Sequence, residues 1–356
     1  MPGNSAIGNL APLLSFCIPT RNRAPYLRQC LNSLLEQAAD DIEIIIVDGA
    51  STDDTSEVIK QFRGLYPNLV HYLRQEGVGV DRDILLSVHL AKGRFCWLMS
   101  DDDKLEPGAL SYVRKILDTH GDSLTGISVN IAAYDRELKY RVRAVPSISG
   151  NRLVGDYLFE DRNQCFSLLG LHFGFISGQI VNRKGWNAVA SSRPLEPFCN
   201  AWILVYMIGE MLRSDPVKWF YVNKKLVAYR SGNDSFAARL GVYGRQLITH
   251  VNFEFTLRAL FGASSTVYTR VLMTIVSDRM PRSLAVIKAD GCDFSTQLKL
   301  LRLYVGRYSM FPRFWIKVFP LFLIPNSVLS LIRKFYFRRM SRLRHGPAAN
   351  CTRTSG

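Results

Sequence analysis

Two apolar runs, each closed by polar residues and followed by a helical pattern, constrain the fold more than any other feature of the chain. Leu13-Leu-Ser-Phe-Cys-Ile18 ends at Pro19, and Leu27, Cys30, Leu31, Leu34 and Leu35 then recur at helical spacing. Ile42-Glu-Ile-Ile-Ile-Val47 repeats the arrangement with β-branched residues, followed by Ser51-Thr52-Asp53 as helix caps and by Val58, Ile59 and Phe62. Leu69 to Leu73 reads as a third strand, Asp83 to Ala91 as a short helix and Phe95 to Met99 as a fourth strand. Alternating units of this kind predict an α/β fold with a doubly wound, mainly parallel sheet. Ligands bind such sheets beyond the carboxyl ends of the strands, so Thr20-Arg21-Asn22, Asp48-Gly49 and Ser100 to Asp103 should converge on one crevice.

Past residue 125 the pattern is less regular. Ser123 to Ala133 and Leu226 to Tyr229 read as strands, Ala201 to Leu212 as a helix, and helical patterns dominate from Val242. The expected organisation is therefore a sheet domain over 1–240 and a helical C-terminal region over 241–356.

The fourth strand delivers Asp101, Asp102 and Asp103 in succession. Like charges so close repel unless water, a cation or hydrogen-bond donors balance them, so the cluster is either a solvated turn or a site. If the strand continues, Ser100 and Asp102 share one face, and Asp101 and Asp103 the other. Either pair suits Mg2+ or Mn2+, which one or two carboxylates commonly hold while substrate phosphates complete the shell. Seven cysteines, odd in number and without a Cys-x-x-Cys, argue against a disulfide framework and a zinc site, and point to a reducing cytosol. No basic residue precedes Arg21, and Leu13 to Ile18 is too short for the core of a signal peptide.

The net charge of +15 calls for an anionic partner, and the C-terminus shows where much of it sits. Phe314 to Ile332 is almost wholly apolar, with Lys317 its only charge and Pro320 and Pro325 inside it, and Arg333 to Arg344 adds six cations and no acid. Two prolines and a lysine weaken a straight span, so the segment is expected to lie in the interface of an anionic membrane; a core helix with a solvated basic tail is the alternative.

"IPTRNRAPYLRQCLNSLLEQ" (18 to 37), "IIIVDGASTDDTSEVI" (44 to 59) and "AKGRFCWLMSDDDKLEPGAL" (91 to 110), in this order and spacing, resemble family 2 glycosyltransferases of the GT-A fold. "GVGVDRDILLSVHLAKGRFCWLMSDDD" (77 to 103) is similar to abequosyltransferase-like members, which add sugars to lipid-linked O-antigen units. The resemblance implies that Pro19, Thr20, Arg21 and Asp48 bind the nucleotide of a nucleotide-sugar donor. It places the family's Asp-x-Asp signature on Ser100-Asp101-Asp102, with serine where the first aspartate normally stands. Asp102 is then the principal metal ligand and Asp103 the second, with Asp101 beside the donor.

Asp81, Arg82 and Asp83 would border the diphosphate, the alternative being a surface Arg-Asp pair at a helix end. Arg230 in "AYRSGNDSF" (228 to 236) could approach it too, unless the segment is a plain turn. Members of this kind usually invert at the anomeric carbon, which needs a carboxylate base. Glu196 is the choice here, over Asp215 and Glu210. The implied enzyme sits on the cytoplasmic face of the inner membrane, with a polyprenyl-diphosphate-linked saccharide as acceptor and no nucleic acid as partner. A nucleotidyltransferase is one rival, although "IPTRNRAP" lacks the Gly-rich loop such enzymes need. A non-catalytic membrane or nucleic-acid binder is the other, and it leaves the aspartates unexplained.

Overall fold

The computed structural model describes residues 11–38, 41–142, 153–213 and 216–344, with side chains described as far as Phe335 and that of Asp122 excepted. The order begins β1 (Leu14–Thr20), α1 (Ala24–Leu35), β2 (Ile42–Asp48), α2 (Thr55–Leu65), β3 (Leu69–Leu73), α3 (Val80–Leu90) and β4 (Phe95–Leu98). Then come β5 (Lys104–Leu105), α4 (Ala109–His120), β6 (Gly126–Tyr134), β7 (Tyr157–Phe159), α5 (Arg162–Leu169), β8 (Gln179–Asn182), α6 (Arg183–Ser192), α7 (Ile203–Met211) and β9 (Trp219–Arg230).

Every residue of β1, β2 and β4 is buried, which is why these strands read as unbroken apolar runs rather than alternating ones. The single sheet runs β3-β2-β1-β4-β8-β6-β9-β5, with β7 also paired to β9. Its first four strands are mutually parallel. The remainder is mixed: β8 lies antiparallel to β4 and β6, β6 and β9 run parallel, and β5 and β7 oppose β9. The chain builds outward from β1 to β3 and then returns to lay β4 on the other side of β1. The strand order therefore reverses between β1 and β4, and the carboxyl ends of these strands are where sheets of this kind place a ligand crevice.

β9 is longer than the expected strand at Leu226 to Tyr229. The strand also passes through the polar Asn223-Lys224-Lys225, with a bulge opposite Asn130, whose amide donates to the Asn223 carbonyl (3.0 Å). In the core, Trp97 stacks on Phe16 (5.3 Å) and donates to the Ser177 carbonyl (2.9 Å). Gly93, ahead of β4, has no room for a Cβ, which would lie 2.7 Å from the Ser15 nitrogen.

The helices that follow are α8 (Ser235–Leu247), α9 (Phe253–Phe261), α10 (Thr266–Thr274), α11 (Met280–Ala289), α12 (Phe294–Tyr308), α13 (Pro312–Lys317), α14 (Phe319–Leu323) and α15 (Asn326–Arg344). The chain groups into two compact units, Met1–Ser235 with Ile248–Tyr268, and Phe236–Leu247 with Thr269–Gly356. In the second unit α11 packs on α14 and α15, and Lys288 donates to the Phe322 carbonyl (3.1 Å). The apolar C-terminal stretch is not one helix. It breaks after Lys317 and again at Ile324-Pro325, with a 100° bend between Pro312–Leu323 and Asn326–Phe335, and among the described residues no single helix is long and apolar enough to cross a membrane.

Candidate functional site

The loops after β1 and β2 are tied to each other. Asn22, in the left-handed region at φ 54°, accepts from the Thr52 amide (2.7 Å), while its own amide donates to the Ser51 hydroxyl (2.8 Å). Asp53 accepts from the amides of Thr55 (3.1 Å) and Ala24 (3.2 Å), so one carboxylate satisfies the starts of both α2 and α1. Ala50 is also held at positive φ (64°), a strained conformation for a residue with a Cβ.

Beneath these loops Asp48 is fully buried. Its carboxylate accepts from the Ser51 amide (2.8 Å) and the Ser56 hydroxyl (3.4 Å), and His71 Nε2 of β3 approaches to 3.9 Å. Burial alone would raise its pKa, but the nearby His71 and the bonds from Ser51 outweigh that and hold it below the ordinary aspartate value. Asp83, on α3, is ion-paired with Arg74 and lies against Gly49, where a Cβ would come within 3.0 Å of its carboxylate. The Arg21 guanidinium packs on Gly77, leaving no room for a side chain there.

The three aspartates after β4 have three different fates. Asp101 is buried and accepts from the Thr20 hydroxyl at the end of β1 (2.8 Å); burial, reinforced by repulsion from Asp102, raises its pKa to about 7. Asp103 is buried too, one oxygen taken by the Ser177 hydroxyl (2.6 Å) and the other by the Arg230 amide (3.0 Å), and burial followed by Asp102 repulsion raises it to about 8. Asp102 alone keeps an exposed edge, with 14% of its side chain accessible. It accepts from Ser100 Oγ (2.6 Å), Asn233 Nδ2 (2.6 Å) and Arg23 Nη1 (3.1 Å).

Arg230 is buried beneath this cluster. Its Nε donates to the Asp102 carbonyl (2.9 Å), its other nitrogens to Gln29 (3.0 Å) and to the Arg136 carbonyl, and its guanidinium stacks on Tyr26 (4.7 Å). Each nitrogen of its fork thus has a partner inside the protein.

A third group stands at the start of α3. Asp81 is buried and accepts from the Ala201 amide (2.6 Å), where Ala201 sits at φ 80°. Burial pushes its pKa up to about 6 despite that bond. Its neighbour Arg82 pairs with Glu196, whose side chain is 72% exposed. Glu210 is buried in α7 between Arg193 (2.9 Å) and Arg213 (3.3 Å), a structural ion cluster. Asp215 lies outside the described residues.

Residues 15–184 match the family described as Glycosyl transferase family 2. The chain is 32% identical over 233 residues to the abequosyltransferase RfbV of Salmonella typhimurium, covering 63% of this chain and 68% of that protein. The protein belongs to glycosyltransferase family 2. It is a glycosyltransferase, and membership replaces both rival readings, the nucleotidyltransferase and the non-catalytic binder. A Pasteurella multocida hyaluronan synthase is 36% identical over 107 residues, which is 30% of this chain but only 11% of that enzyme. Among solved structures, S. aureus TarS 1–349 in complex with UDP-GlcNAc aligns with a TM-score of 0.59 at 15% identity, covering 84% of this chain and 81% of that one. The mannosyltransferase PcManGT from Pyrobaculum calidifontis, in complex with GDP-Man and Mn2+, aligns at 0.52 and 14% identity over 90% and 88%. Both likenesses concern the fold, which is of the GT-A kind.

GT-A glycosyltransferases commonly use a divalent metal. In this family 2 chain no group of three or more His, Cys, Asp or Glu among the described residues forms a metal cage. The donor set instead fits a cation held by one carboxylate and completed by phosphate oxygens, because Asp102 is part exposed and has a hydroxyl beside it. Asp103, the second candidate, has both oxygens engaged inward. Sequence reasoning missed Arg23, Tyr26, His71 and Ser177. Arg23 lies within the quoted first motif and could have been marked as a cation near the crevice, whereas Ser177 carries no local signal.

Proposed function

We propose that this glycosyltransferase moves a sugar from a nucleotide-sugar donor to a lipid-linked, polyprenyl-diphosphate saccharide in cell-surface polysaccharide or O-antigen synthesis, with inversion and with Mg2+ or Mn2+. The observation that carries the reading is the meeting of the β1 and β4 loops at Asp102, the one aspartate of the three with an exposed edge, with the β2 loop tied to the β1 loop beside it. Relatives named for abequosyl transfer and hyaluronan synthesis, and fold neighbours holding UDP-GlcNAc or GDP-Man with Mn2+, support it.

Pro19, Thr20, Arg21 and Asp48 form the nucleotide end, with Asp83 beneath. Asp102 and Ser100 face the diphosphate, where a bound cation supplies charge neutralisation of the leaving group. Glu196 is the base that takes the acceptor hydroxyl's proton, oriented by Arg82. Asp81 fixes the loop that carries it through Ala201.

The membrane part of the proposal rests on α15. Val328, Leu331, Ile332 and Phe335 are spaced as one helical stripe and are exposed, Leu331 and Phe335 each at 68%, while Leu329 is buried. Residues 312–344 contain eight Lys or Arg and no acid, which suits an anionic leaflet. The protein accordingly sits peripherally on the cytoplasmic face of the membrane.

Purified full-length protein offered a panel of nucleotide sugars with Mn2+ should release nucleoside diphosphate slowly from one of them. Asp102→Asn should cut that release by about a hundredfold or more, the loss expected when one oriented electrostatic group is removed. Native turnover in Asp102→Asn would overturn the site.

A further inference from the structure

The Asp102 carboxylate is already partnered by a cation of the protein itself. Arg23 Nη1 lies 3.1 Å from Asp102 Oδ2, an oxygen that also accepts from Asn233, while Oδ1 accepts from Ser100. A divalent ion on this carboxylate would stand within a few ångströms of a guanidinium that is itself always charged. The two repel, and unless Arg23 is offered another anion the metal gains little by displacing it.

The donor's diphosphate is such an anion. Arg23 is placed to move to it: among the described residues its guanidinium pairs with Asp102, lies over the Tyr26 ring face (5.6 Å) and feels the charge of Asp101, and its side chain is 17% exposed. Arg230, buried on the same Tyr26 with its nitrogens all engaged, cannot make that move. A guanidinium fork also matches phosphate oxygens in pairs.

We infer that Arg23 is a positioning residue that makes metal binding depend on the nucleotide: it guards Asp102 in the free enzyme and transfers to the diphosphate when the donor enters, freeing the carboxylate. The inference rests on the proposed metal role of Asp102. It sets an order of events, in which metal and diphosphate enter together and the free enzyme keeps little metal.

The test is a Mn2+ titration of the full-length protein followed by electron paramagnetic resonance, alone and with each of UDP, GDP, CDP, ADP and dTDP, on wild type, Arg23→Gln and Arg23→Lys. Circular dichroism checks that each variant is folded. Wild type should bind Mn2+ weakly alone and at least tenfold more tightly with the nucleotide it accepts. Arg23→Gln should bind Mn2+ alone about tenfold more tightly than wild type, with most of the nucleotide-induced gain gone. Arg23→Lys keeps the charge and should stay weak for Mn2+ alone. If wild type shows nucleotide-dependent Mn2+ binding but Arg23→Gln has the wild-type affinity for Mn2+ alone, this inference is wrong and the metal reading stands. If no Mn2+ binds wild type with any of these nucleotides, the metal reading falls and takes the inference with it.

Discussion

The crevice beyond β1, β2 and β4 and the helices at the C-terminus treat their surfaces in opposite ways. At the carboxyl ends of these strands polar groups are bound to one another: Asp48 to Ser51, Asp101 to Thr20, Asp103 to Ser177 and Arg230, and of the three aspartates in a row Asp102 alone keeps an exposed edge. In α15 an apolar stripe faces outward with nothing of the described chain covering it. The contrast teaches where each region's specificity lies. A preorganised polar site spends little rearrangement on its ligand, whereas an exposed apolar face acquires its partner only by burial against a non-aqueous surface.

The severest way to break the crevice is to remove its buried cation. Arg230→Ala strands the carbonyls of Asp102 and Arg136 and the Gln29 side chain, so unfolding in urea should show a loss of about 3 to 5 kcal/mol. A loss under about 1 kcal/mol, the scale of an exposed pair, would mean that Arg230 is not part of a closed network.

Asp81 offers a second test through pH. Burial raises its pKa in the folded protein to about 6, above the ordinary aspartate value of 3.8, so the folded state holds the proton more tightly. The stability this lends is complete below pH 4 and is lost as pH rises through 6. From two pKa units, wild type should lose about 3 kcal/mol relative to Asp81→Asn between pH 4 and 7. Parallel stability curves for the two proteins would show that burial does not perturb this carboxyl.

Next in size is Asp48→Ala, which should weaken binding of the nucleoside diphosphate by about ten- to hundredfold, the cost of a lost hydrogen bond to a buried polar edge. Unchanged affinity by calorimetry would reduce Asp48 to the residue that shapes the Ser51 turn.

The smallest effect on stability belongs to α15. Leu331→Ser with Phe335→Ser alters exposed positions and should leave unfolding within about 0.5 kcal/mol of wild type. The same double variant should lose flotation with anionic vesicles, which in wild type weakens as salt rises. Undiminished flotation would place the membrane contact elsewhere, and a large stability loss would mean the stripe is packed against protein.

Much of the crevice was legible in the sequence because its signals are local. Apolar runs at Leu13 to Ile18 and Ile42 to Val47, with helical spacing between, are enough to order β1, α1 and β2, and the polar residues at the strand ends mark the loops that meet there. The helical breaks at Val318 and Pro325 were likewise foreshadowed by Pro320 and Pro325. The length of β9 was not, since a bulge is decided by the facing Asn130 and not by the strand's own residues.

By itself the sequence determined the order of βα units, the family, and that three aspartates follow the fourth strand. Periodicity and turn chemistry act over a few residues, and a chain carries them wherever it goes. Only the tertiary structure decided which aspartate faces outward, because the groups that settle it arrive from far away: Asn233 reaches Asp102 across 131 positions, and Arg230 reaches Asp103 across 127. The same holds for Arg23, which stands 79 positions before the carboxylate it neutralises. Identical residues in a row become a buried hydroxyl acceptor, a part-exposed carboxylate and a core anchor according to which distant partner the fold brings to each.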